Sequence, residues 1–248
     1  MTQRDGTGHR TRAGTTRPAR RPELSWASDR ALRVSFGDEI SLATQRLVHA
    51  ACKQLAAAAI PGLQDLTPAY TTVLITFDGA SLVPDAAEQA VRLALSQPDA
   101  RARTKPGRTI EIPVCYDRRC APDLDELALV HSLSPEEVAI AHSAQTYSVG
   151  YLGFTPGFAY LHGLPAQLAT PRLPTPRPRV PAGSVGIAGT QTGIYPSATP
   201  GGWRLIGRTP IRMFDPARDT PARLTMGDTV RFVPITFEQF EAMSKGTA

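Results

Sequence analysis

The pattern of hydrophobic and polar positions divides the chain into an N-terminal region with helical periodicity and a C-terminal region of short β-strands. Apolar residues recur at helical spacing within 40–58, and β-branched residues are enriched just before Phe77. These patterns are typical of an amphipathic helix and of a strand. The predicted elements are Ala31–Phe36 (strand), Ile40–Ala58 (helix), Leu63–Pro68 and Tyr70–Phe77 (strands) and Pro84–Ser96 (helix). This βαββα order predicts a small α/β sandwich, with helices on one face of a short sheet.

The C-terminal region begins with a predicted strand at Thr109–Cys115, followed by two short helices whose first turns carry capping residues. Asp123 and Glu126 fit an N-cap and N3 pair, and Ser134 with Glu137 fits a capping box. After residue 142, short apolar runs are separated by Gly and Pro. The predicted strands there are Val180–Ala188, Trp203–Ile206, Ile211–Phe214 and Thr229–Val233. Many short strands with few helices indicate a closed β-barrel or a sandwich.

We therefore predict an α+β protein with five consecutive segments. A basic tail (1–22) precedes an N-terminal α/β domain (23–97), and a polar linker broken by prolines (98–108) leads to the barrel domain (109–236). The last residues (237–248) are predicted to be a C-terminal tail. This organisation places most of the chain in two regions that each have their own apolar pattern.

The excess positive charge of the chain lies in its first residues. The net charge is +5, and residues 1–22 carry six arginines against Asp5, so the remainder of the chain sums to zero. Because the tail has almost no apolar residues, we expect it to be disordered, and its charge is no indication of nucleic-acid binding. No apolar run approaches the roughly 18 residues that span a bilayer. Since no apolar run follows the arginine pair of the tail, we predict a cytoplasmic protein without membrane or nucleic-acid partners.

The cysteines indicate neither disulfides nor a metal centre. Cys52, Cys115 and Cys120 are an odd number and cannot form a closed set of disulfides. Cys52 lies inside the first predicted helix, where a buried apolar role is expected. We predict structural cysteines and no metal site.

Residues 138–214 contain no Asp, Glu or Lys but carry six arginines. Guanidinium groups without neighbouring carboxylates bind solvent, carbonyls, distant acids or an anionic ligand. Because a guanidinium can bind a carboxylate or phosphate through two parallel hydrogen bonds, we predict an anion site in this segment. The candidate residues are Arg172, Arg179, Arg208 and Arg212, with Gln191 and Thr192 as polar residues in an apolar run. The alternative is that these arginines pair with distant acids or lie on the surface.

His142 and Tyr147 are the candidate catalytic residues. A histidine that titrates near neutral pH can act as a general acid or base, here assisted by the tyrosine. A histidine at the C-terminal end of a helix also interacts favourably with the last carbonyls, so a structural role remains open. Pro171–Pro181 could likewise be a polyproline ligand or an extended wall of the barrel. No G-x-x-x-x-G-K-S/T motif is present, so no Walker-type ATP site is predicted in this chain.

Four long segments of the chain carry a family resemblance. They are GFTPGFAYLHGL (153–164), ATPRLPTPRPRVPAGSVGIAGTQTGIYP (169–196), PGGWRLIGRTPIRMFDP (200–216) and GDTVRFVPI (227–235). In these segments the chain resembles the 5-oxoprolinase B-subunit family, also called allophanate hydrolase subunit 1 or the sporulation-kinase inhibitor family. The resemblance covers most of residues 31–235 and implies a small α/β domain followed by a cyclophilin-like β-barrel. It departs from the family at Cys115–Cys120, where many relatives have a glycine-rich turn.

The resemblance also implies a function. Members like this one act as the B subunit of a multi-component 5-oxoprolinase, which hydrolyses ATP to open the lactam of 5-oxo-L-proline and give L-glutamate. The implied partners are the C subunit, a second cyclophilin-like barrel, and the A subunit. ATP is the implied co-substrate of the complex, and this chain is expected to be inactive alone. The alternatives are a regulatory protein that inhibits a sensor histidine kinase and a component of a urea- or allophanate-processing amidohydrolase.

Overall fold

The structure, a computed structural model, describes residues 22–80, 82–96 and 107–246. It contains a four-stranded antiparallel sheet followed by a closed barrel of seven strands, which confirms the predicted α+β class and the barrel. Residues 1–21 of the predicted tail and 98–106 of the predicted linker lie outside the described residues. The domain boundaries themselves stay a prediction. No helix among the described residues is long and apolar enough to cross a bilayer.

The N-terminal sheet is covered on one face by two helices. Its elements are β1 (Glu23–Ser28), β2 (Ala31–Ser35), α1 (Leu42–Ala57), β3 (Leu63–Pro68), β4 (Thr72–Phe77) and α2 (Pro84–Ser96). The strand order is β1-β2-β4-β3. Successive side chains of a strand point to opposite faces, so Val73, Ile75 and Phe77 share the face that packs on the helices. They are fully buried in one apolar cluster with Val48 of α1 and Val91 of α2.

Strand β1 was not among the predicted elements, because its large apolar residues are Leu24 and Trp26 alone. The strand is defined by its antiparallel pairing with β2, in which Leu24 lies opposite Val34 and Trp26 opposite Leu32. The N-terminal region therefore has a ββαββα order, one strand more than predicted.

The C-terminal region forms the barrel and a small accessory sheet. Its elements are β5 (Thr109–Cys115), α3 (Leu124–Val130), α4 (Pro135–Ser143), β6 (Thr146–Leu152), β7 (Ala159–His162), β8 (Arg177–Val180), β9 (Ser184–Ala188), β10 (Gln191–Ile194), β11 (Thr199–Gly201), β12 (Arg204–Arg208), β13 (Thr229–Ile235) and α5 (Phe237–Lys245). The barrel order is β10-β7-β6-β13-β5-β12-β9, with β5 and β13 parallel and the other neighbours antiparallel. Strands β8 and β11 pair with each other in a separate sheet.

Two predicted strands of this region are not continuous strands in the structure. The predicted strand Val180–Ala188 is broken into β8 and β9 at Pro181, which has no N–H to donate to a ladder, and at Gly183, whose φ is +82°. The predicted strand Ile211–Phe214 forms only an isolated bridge between Phe214 and Ala222. The proline-rich stretch is also not a wall of the barrel, because β8 belongs to the accessory sheet.

The predicted C-terminal tail contains helix α5. Its N-terminus is a capping box: the Thr236 hydroxyl accepts from the Gln239 N–H at 3.2 Å, and the Gln239 side chain accepts from the Thr236 N–H at 2.9 Å. The signature T-x-x-Q at 236–239 signals this start. The capping box predicted for α4 is confirmed, since Ser134 and Glu137 make the same reciprocal bonds.

Side chains of the N-terminal region donate hydrogen bonds to strands β10 and β6 of the barrel. The Tyr70 hydroxyl, in the turn between β3 and β4, donates to Oε1 of Gln191 at 2.7 Å. Nε2 of Gln45 in α1 donates to the carbonyl of Val149 in β6 at 3.0 Å. The first of these bonds fixes the orientation of a predicted site residue.

Candidate functional site

Two of the four candidate anion-binding arginines, Arg208 and Arg212, line the same open groove on the barrel. The groove has a volume of about 480 Å³ and is bounded by the end of β12, the turn between β8 and β9, and α5. Its polar side chains besides the arginines are Ser197, Thr209 and Ser244. We call it the Arg208 groove. Within the described part of the chain, no carboxylate lines it.

A glycine turn sets the position of one wall. Gly183 has φ +82°, and a Cβ there would overlap the carbonyl oxygen of Thr209. The Gly183 N–H donates to the Tyr195 carbonyl at 2.7 Å, and its own carbonyl accepts from the Thr209 N–H at 2.9 Å. A side chain at position 183 would push the segments around Gly183 and Thr209 apart, so glycine is required for this close approach. The turn thereby holds the carbonyl of Ala182 beside Arg208.

Arg208 is held by its Nε and its ring contact, which leaves the end of its guanidinium for a ligand. Its Nε donates to the Ala182 carbonyl at 2.9 Å, and Cζ lies 5.7 Å from the ring centroid of Phe240 in α5. The second distance is within the range of a cation–π contact. Arg208 has no carboxylate partner among residues 22–80, 82–96 and 107–246. A positively charged, oriented guanidinium of this kind suits a carboxylate or phosphate.

Arg212 is the second cation of the groove and is only loosely paired. Its Nη1 lies 3.9 Å from Oδ2 of Asp215, and its side chain is 58% exposed. Exposed pairs of this length contribute little to stability, about 0–1 kcal/mol. The Arg212 carbonyl accepts a hydrogen bond from Nε of Arg223 at 3.2 Å, which fixes the backbone there. The side chain therefore remains available to an anion in the groove.

The other four arginines of the carboxylate-free segment lie outside the groove. Nη2 of Arg177 contacts Oδ1 of Asp123 at 2.5 Å, and Nη1 of Arg204 contacts Oε1 of Glu126 at 2.7 Å. Both acids belong to the start of α3, so the alternative of distant acids holds for these two arginines.

The remaining two candidates, Arg172 and Arg179, have no carboxylate partner in the part of the chain that the structure describes. Burial raises the pKa of Tyr195, and the charge of Arg172 offsets part of that rise, which places Arg172 near an aromatic surface. Arg179 is exposed in β8. The structure therefore brings two of the four candidates together and leaves the other two apart from them.

The candidate catalytic residues His142, in α4, and Tyr147, in β6, are buried side by side, with their ring centroids 5.3 Å apart. His142 is fully buried, with Nδ1 at 2.8 Å from the Tyr116 hydroxyl and Nε2 at 2.9 Å from Oγ1 of Thr192. Burial lowers the pKa of His142 to about 3, so the ring is neutral near pH 7. The Tyr147 hydroxyl donates to the His142 carbonyl at 2.7 Å. Neither residue lines the Arg208 groove, and their catalytic role stays a prediction.

Gln191 and Thr192 are adjacent in β10 and face opposite ways. Thr192 points into the barrel, where it is fully buried and contacts His142. Gln191 points outward to Tyr70. The alternation of side chains along a strand explains the separation, which means that the two polar residues cannot contact one ligand on the same face.

Comparison with known proteins identifies the family. The model of the carboxyltransferase domain, subdomain C and D, matches residues 22–224. The 5-oxoprolinase B subunit of Bacillus subtilis (strain 168) is 40% identical over 234 residues, which are 90% of this chain and 96% of that relative. The chain belongs to the 5-oxoprolinase B-subunit family. Both arginines of the groove lie within the matched residues, whereas α5 lies beyond them.

Another member of the B-subunit family and a solved structure agree. The B subunit of Escherichia coli O157:H7 is 46% identical over 200 residues, covering 79% of this chain and 88% of the relative. The crystal structure of TTHA0988 superposes with a TM-score of 0.73 at 41% identity and covers 83% of this chain. This chain spans 40% of the length of TTHA0988. The predicted family resemblance is thus confirmed.

Contrary to the prediction from the sequence, the side chain of Asp123 does not cap α3 but bonds to other parts of the protein. It does occupy the N-cap position of α3, but its side chain makes no capping bond. Its Oδ2 accepts the Leu205 N–H at 2.6 Å, and its Oδ1 accepts from Arg177. Since the residue is only 4% exposed, these bonds satisfy a buried charge and tie α3 to β8 and β12.

We expect Asp123→Asn to lower the free energy of unfolding by about 1–2 kcal/mol. The amide can still accept from Leu205, but the half-buried Arg177 loses its counterion. Urea unfolding at neutral pH measures the loss. Asp125→Asn is the matched control, because the Asp125–Arg118 pair is exposed on both sides. Equal losses in the two variants would contradict the assigned role.

Several residues of the groove were not predicted from the sequence. Phe240 and Ser244 come from α5, whose sequence was assigned to a tail. The T-x-x-Q signature that starts α5 could have revealed it. The Ala182 carbonyl is a backbone group, which side-chain composition does not reveal. Pro181 and Gly183, on either side of Ala182, mark that turn in the sequence.

Proposed function

We propose that this chain is the B subunit of a multi-component 5-oxoprolinase that couples ATP hydrolysis to opening of the lactam of 5-oxo-L-proline, with L-glutamate as the product. The observation that carries the proposal is the match to the Bacillus subtilis B subunit, which covers 96% of that relative. The Arg208 groove supports it, because the only ionic group of the substrate is a carboxylate. We also propose a cytoplasmic location, because the proposed co-substrate ATP is present in the cytoplasm.

In the proposed complex this chain anchors the substrate. The guanidinium of Arg208 binds the ring carboxylate, and Arg212, which lines the same groove, adds a second positive charge. Phe214 and Phe240 offer apolar surface to the ring methylenes. Binding in this way orients the lactam carbonyl toward whatever group attacks it.

The reactive groups are proposed to come from the partner A and C subunits. Lactam opening needs an activated carbonyl and a proton donor for the leaving nitrogen. Within the described residues, the groove is lined by no carboxylate, imidazole or thiol. The sequence also has no G-x-x-x-x-G-K-S/T motif, so the site that hydrolyses ATP is proposed to lie on a partner. This division of labour would leave the isolated chain inactive.

Reconstitution with purified A and C subunits tests the proposal. We expect ATP hydrolysis that depends on 5-oxoproline when all three chains are present, and loss of that hydrolysis when this chain is omitted. Urea and allophanate serve as alternative substrates in the same assay. No activity with all three chains, or unchanged activity without this one, contradicts the proposal. Turnover of urea or allophanate instead would assign the chain to the other amidohydrolase class.

A further inference from the structure

Three arginines outside the segment singled out from the sequence surround a second hollow. It has a volume of about 330 Å³ and is lined by Arg108, Ile110, Arg218, Thr220, Ala222 and Arg223. Arg108 directly precedes β5, and the other two arginines belong to the loop that leads to β13. We call it the Arg223 hollow. Within the described ranges of the chain, it shares no lining residue with the Arg208 groove.

Among the described residues, one carboxylate contacts these arginines, and its oxygen atoms already accept several hydrogen bonds. Asp228 accepts Nη2 of Arg108 at 2.6 Å and Nε of Arg108 at 3.3 Å. It also accepts the N–H of Thr225 at 2.9 Å, the hydroxyl of Thr225 at 3.0 Å and the N–H of Arg108 at 3.2 Å. Asp228 is 3% exposed, so it turns toward these donors and away from solvent. It neutralises Arg108 and leaves the other two charges unbalanced.

Arg218 and Arg223 have no carboxylate partner among the residues that the structure describes. Asp219 is adjacent in sequence but exposed, and Asp215 faces Arg212, so neither lines the hollow. Burial, together with the charge of Arg218, lowers the pKa of Arg223. Two like charges are therefore held close without a counterion, which costs free energy that a bound anion would recover.

The position of Arg223 is fixed before any ligand binds. Its Nε donates to the Arg212 carbonyl at 3.2 Å, and its own carbonyl accepts from Nη2 of Arg108 at 3.3 Å. These bonds tie the arginine to the backbone on one side and to the Asp228-bound Arg108 on the other. Because the terminal nitrogens of Arg223 are left over, the guanidinium is oriented in advance for a ligand.

We propose that the Arg223 hollow binds a phosphate group that carries two negative charges. Arg218 and Arg223 each supply one positive charge, and Thr220, which also lines the hollow, adds a neutral hydroxyl donor. A dianion balances both charges and offers enough oxygen atoms for two guanidinium groups, whereas a monocarboxylate balances only one. The group could be inorganic phosphate or the terminal phosphate of a nucleotide, since the local chemistry is the same. The site is separate from the one proposed for 5-oxoproline.

Isothermal titration calorimetry on the full chain tests this site with inorganic phosphate, pyrophosphate and ADP, at a salt concentration of roughly 0.15 M to screen weak surface attraction. Arg218→Ala removes an exposed side chain without a partner in the described chain, so the fold is expected to persist. We expect it to weaken binding about tenfold, and Arg223→Gln to weaken it at least as much. The control is Arg33→Ala in β2, which removes one positive charge from a residue that does not line the hollow. We expect it to change the affinity less than about twofold.

The outcomes separate the ligand sources and can overturn the proposal. Similar affinity for phosphate and ADP supports a site for the phosphate group itself, whereas tighter ADP binding supports a nucleotide site. All variants keep the basic N-terminal tail, so a difference between them cannot come from it. The proposal is overturned if the native chain binds none of the three ligands saturably, or if Arg33→Ala weakens binding as much as Arg218→Ala. Since the assay uses this chain alone, its failure leaves the proposed 5-oxoprolinase function untouched.

Discussion

Replacing Arg208 by alanine is expected to lower kcat/KM of the reconstituted enzyme for 5-oxoproline by about 10- to 100-fold, because a hydrogen-bonded ion pair contributes roughly 1.5–3 kcal/mol. The effect should fall on KM, since the carboxylate of the substrate does not change during lactam opening and its contact stabilises ground and transition states alike. Arg208→Lys keeps the charge but not the two parallel donors, so an intermediate loss is expected. Initial rates of oxoproline-dependent ATP hydrolysis over a range of substrate concentrations measure both constants.

The matched control for Arg208 is Arg231→Ala in β13. Arg231 is an exposed barrel arginine whose pair with Glu111, at 3.4 Å, is exposed on both sides, so its loss removes the same charge without touching the groove. Size-exclusion chromatography should show that the enzyme still assembles in both variants. An unchanged KM in Arg208→Ala, with the complex intact, would contradict the proposed substrate anchor. A KM that rises equally in Arg231→Ala would point to a general charge effect instead.

Elements with a strong local pattern were predicted to the residue. The bounds of β3, α2 and β5 are those expected from the sequence. In each of them the periodicity of apolar side chains coincides with local start and stop signals, such as Pro84 at the start of α2. A pattern of this kind is contained in the element itself, so no knowledge of the tertiary structure is needed to find it.

Elements defined by partners distant in sequence were predicted poorly. The apolar run that begins at Val180 looks like one strand, but its two halves pair with different strands, β11 and β12, in different sheets. Similarly, β1 has a weak pattern of its own and is ordered by its pairing with β2. Pairing depends on which segments fold next to one another, and single-sequence periodicity does not contain that information.

Dependence on partners distant in sequence also limits what the sequence predicts about the candidate site. Of the four candidates that the absence of acids singles out, Arg208 and Arg212 share a groove, and their binding of an anion stays a prediction. The acids that neutralise Arg177 and Arg204 lie in α3, and Asp123 is 54 residues from Arg177 along the chain. Composition within a segment cannot show such a pair. It also could not show the Arg223 hollow, where Asp228 pairs with Arg108, while Arg218 and Arg223 have no carboxylate partner among the described residues.

The interior hydrogen bonds of His142 define its protonation state. The Thr192 hydroxyl donates to the Gly186 carbonyl at 2.9 Å, so its oxygen is left to accept from Nε2–H of His142. Nδ1 then carries no proton and accepts from the Tyr116 hydroxyl. This is the neutral form, in agreement with the burial that lowers the pKa of His142 to about 3. A second ring proton would meet a hydroxyl that is already directed at Nδ1.

The stability of the protein is therefore expected to fall on acidification in a way that depends on His142. In the unfolded chain a histidine takes up a proton near its ordinary pKa of about 6.5, whereas the folded chain takes it up only near pH 3. Between these values the unfolded state binds one more proton, so the free energy of unfolding declines by about 1.4 kcal/mol for each pH unit lowered. The contribution is fully present above about pH 6.5 and amounts to a loss of about 3 kcal/mol at pH 4.

His142→Gln removes this dependence while keeping the polarity of the site, because its amide can donate to Thr192 and accept from Tyr116. We expect the variant to be less stable than the native chain near pH 8, since the flat ring that stacks at 4.6 Å on Phe232 is lost. Between about pH 4 and pH 6, the free energy of unfolding of the variant should decline less steeply with falling pH. The slope should be smaller by up to about 1.4 kcal/mol per pH unit, the value for one proton. Urea unfolding over this range, with parallel slopes near pH 8 as the internal control, measures the difference. Equal slopes at acid pH would mean that the folded protein protonates His142 as readily as the unfolded chain does. The ring would then be accessible to protons, as the predicted general acid or base requires, and its burial would have to be transient.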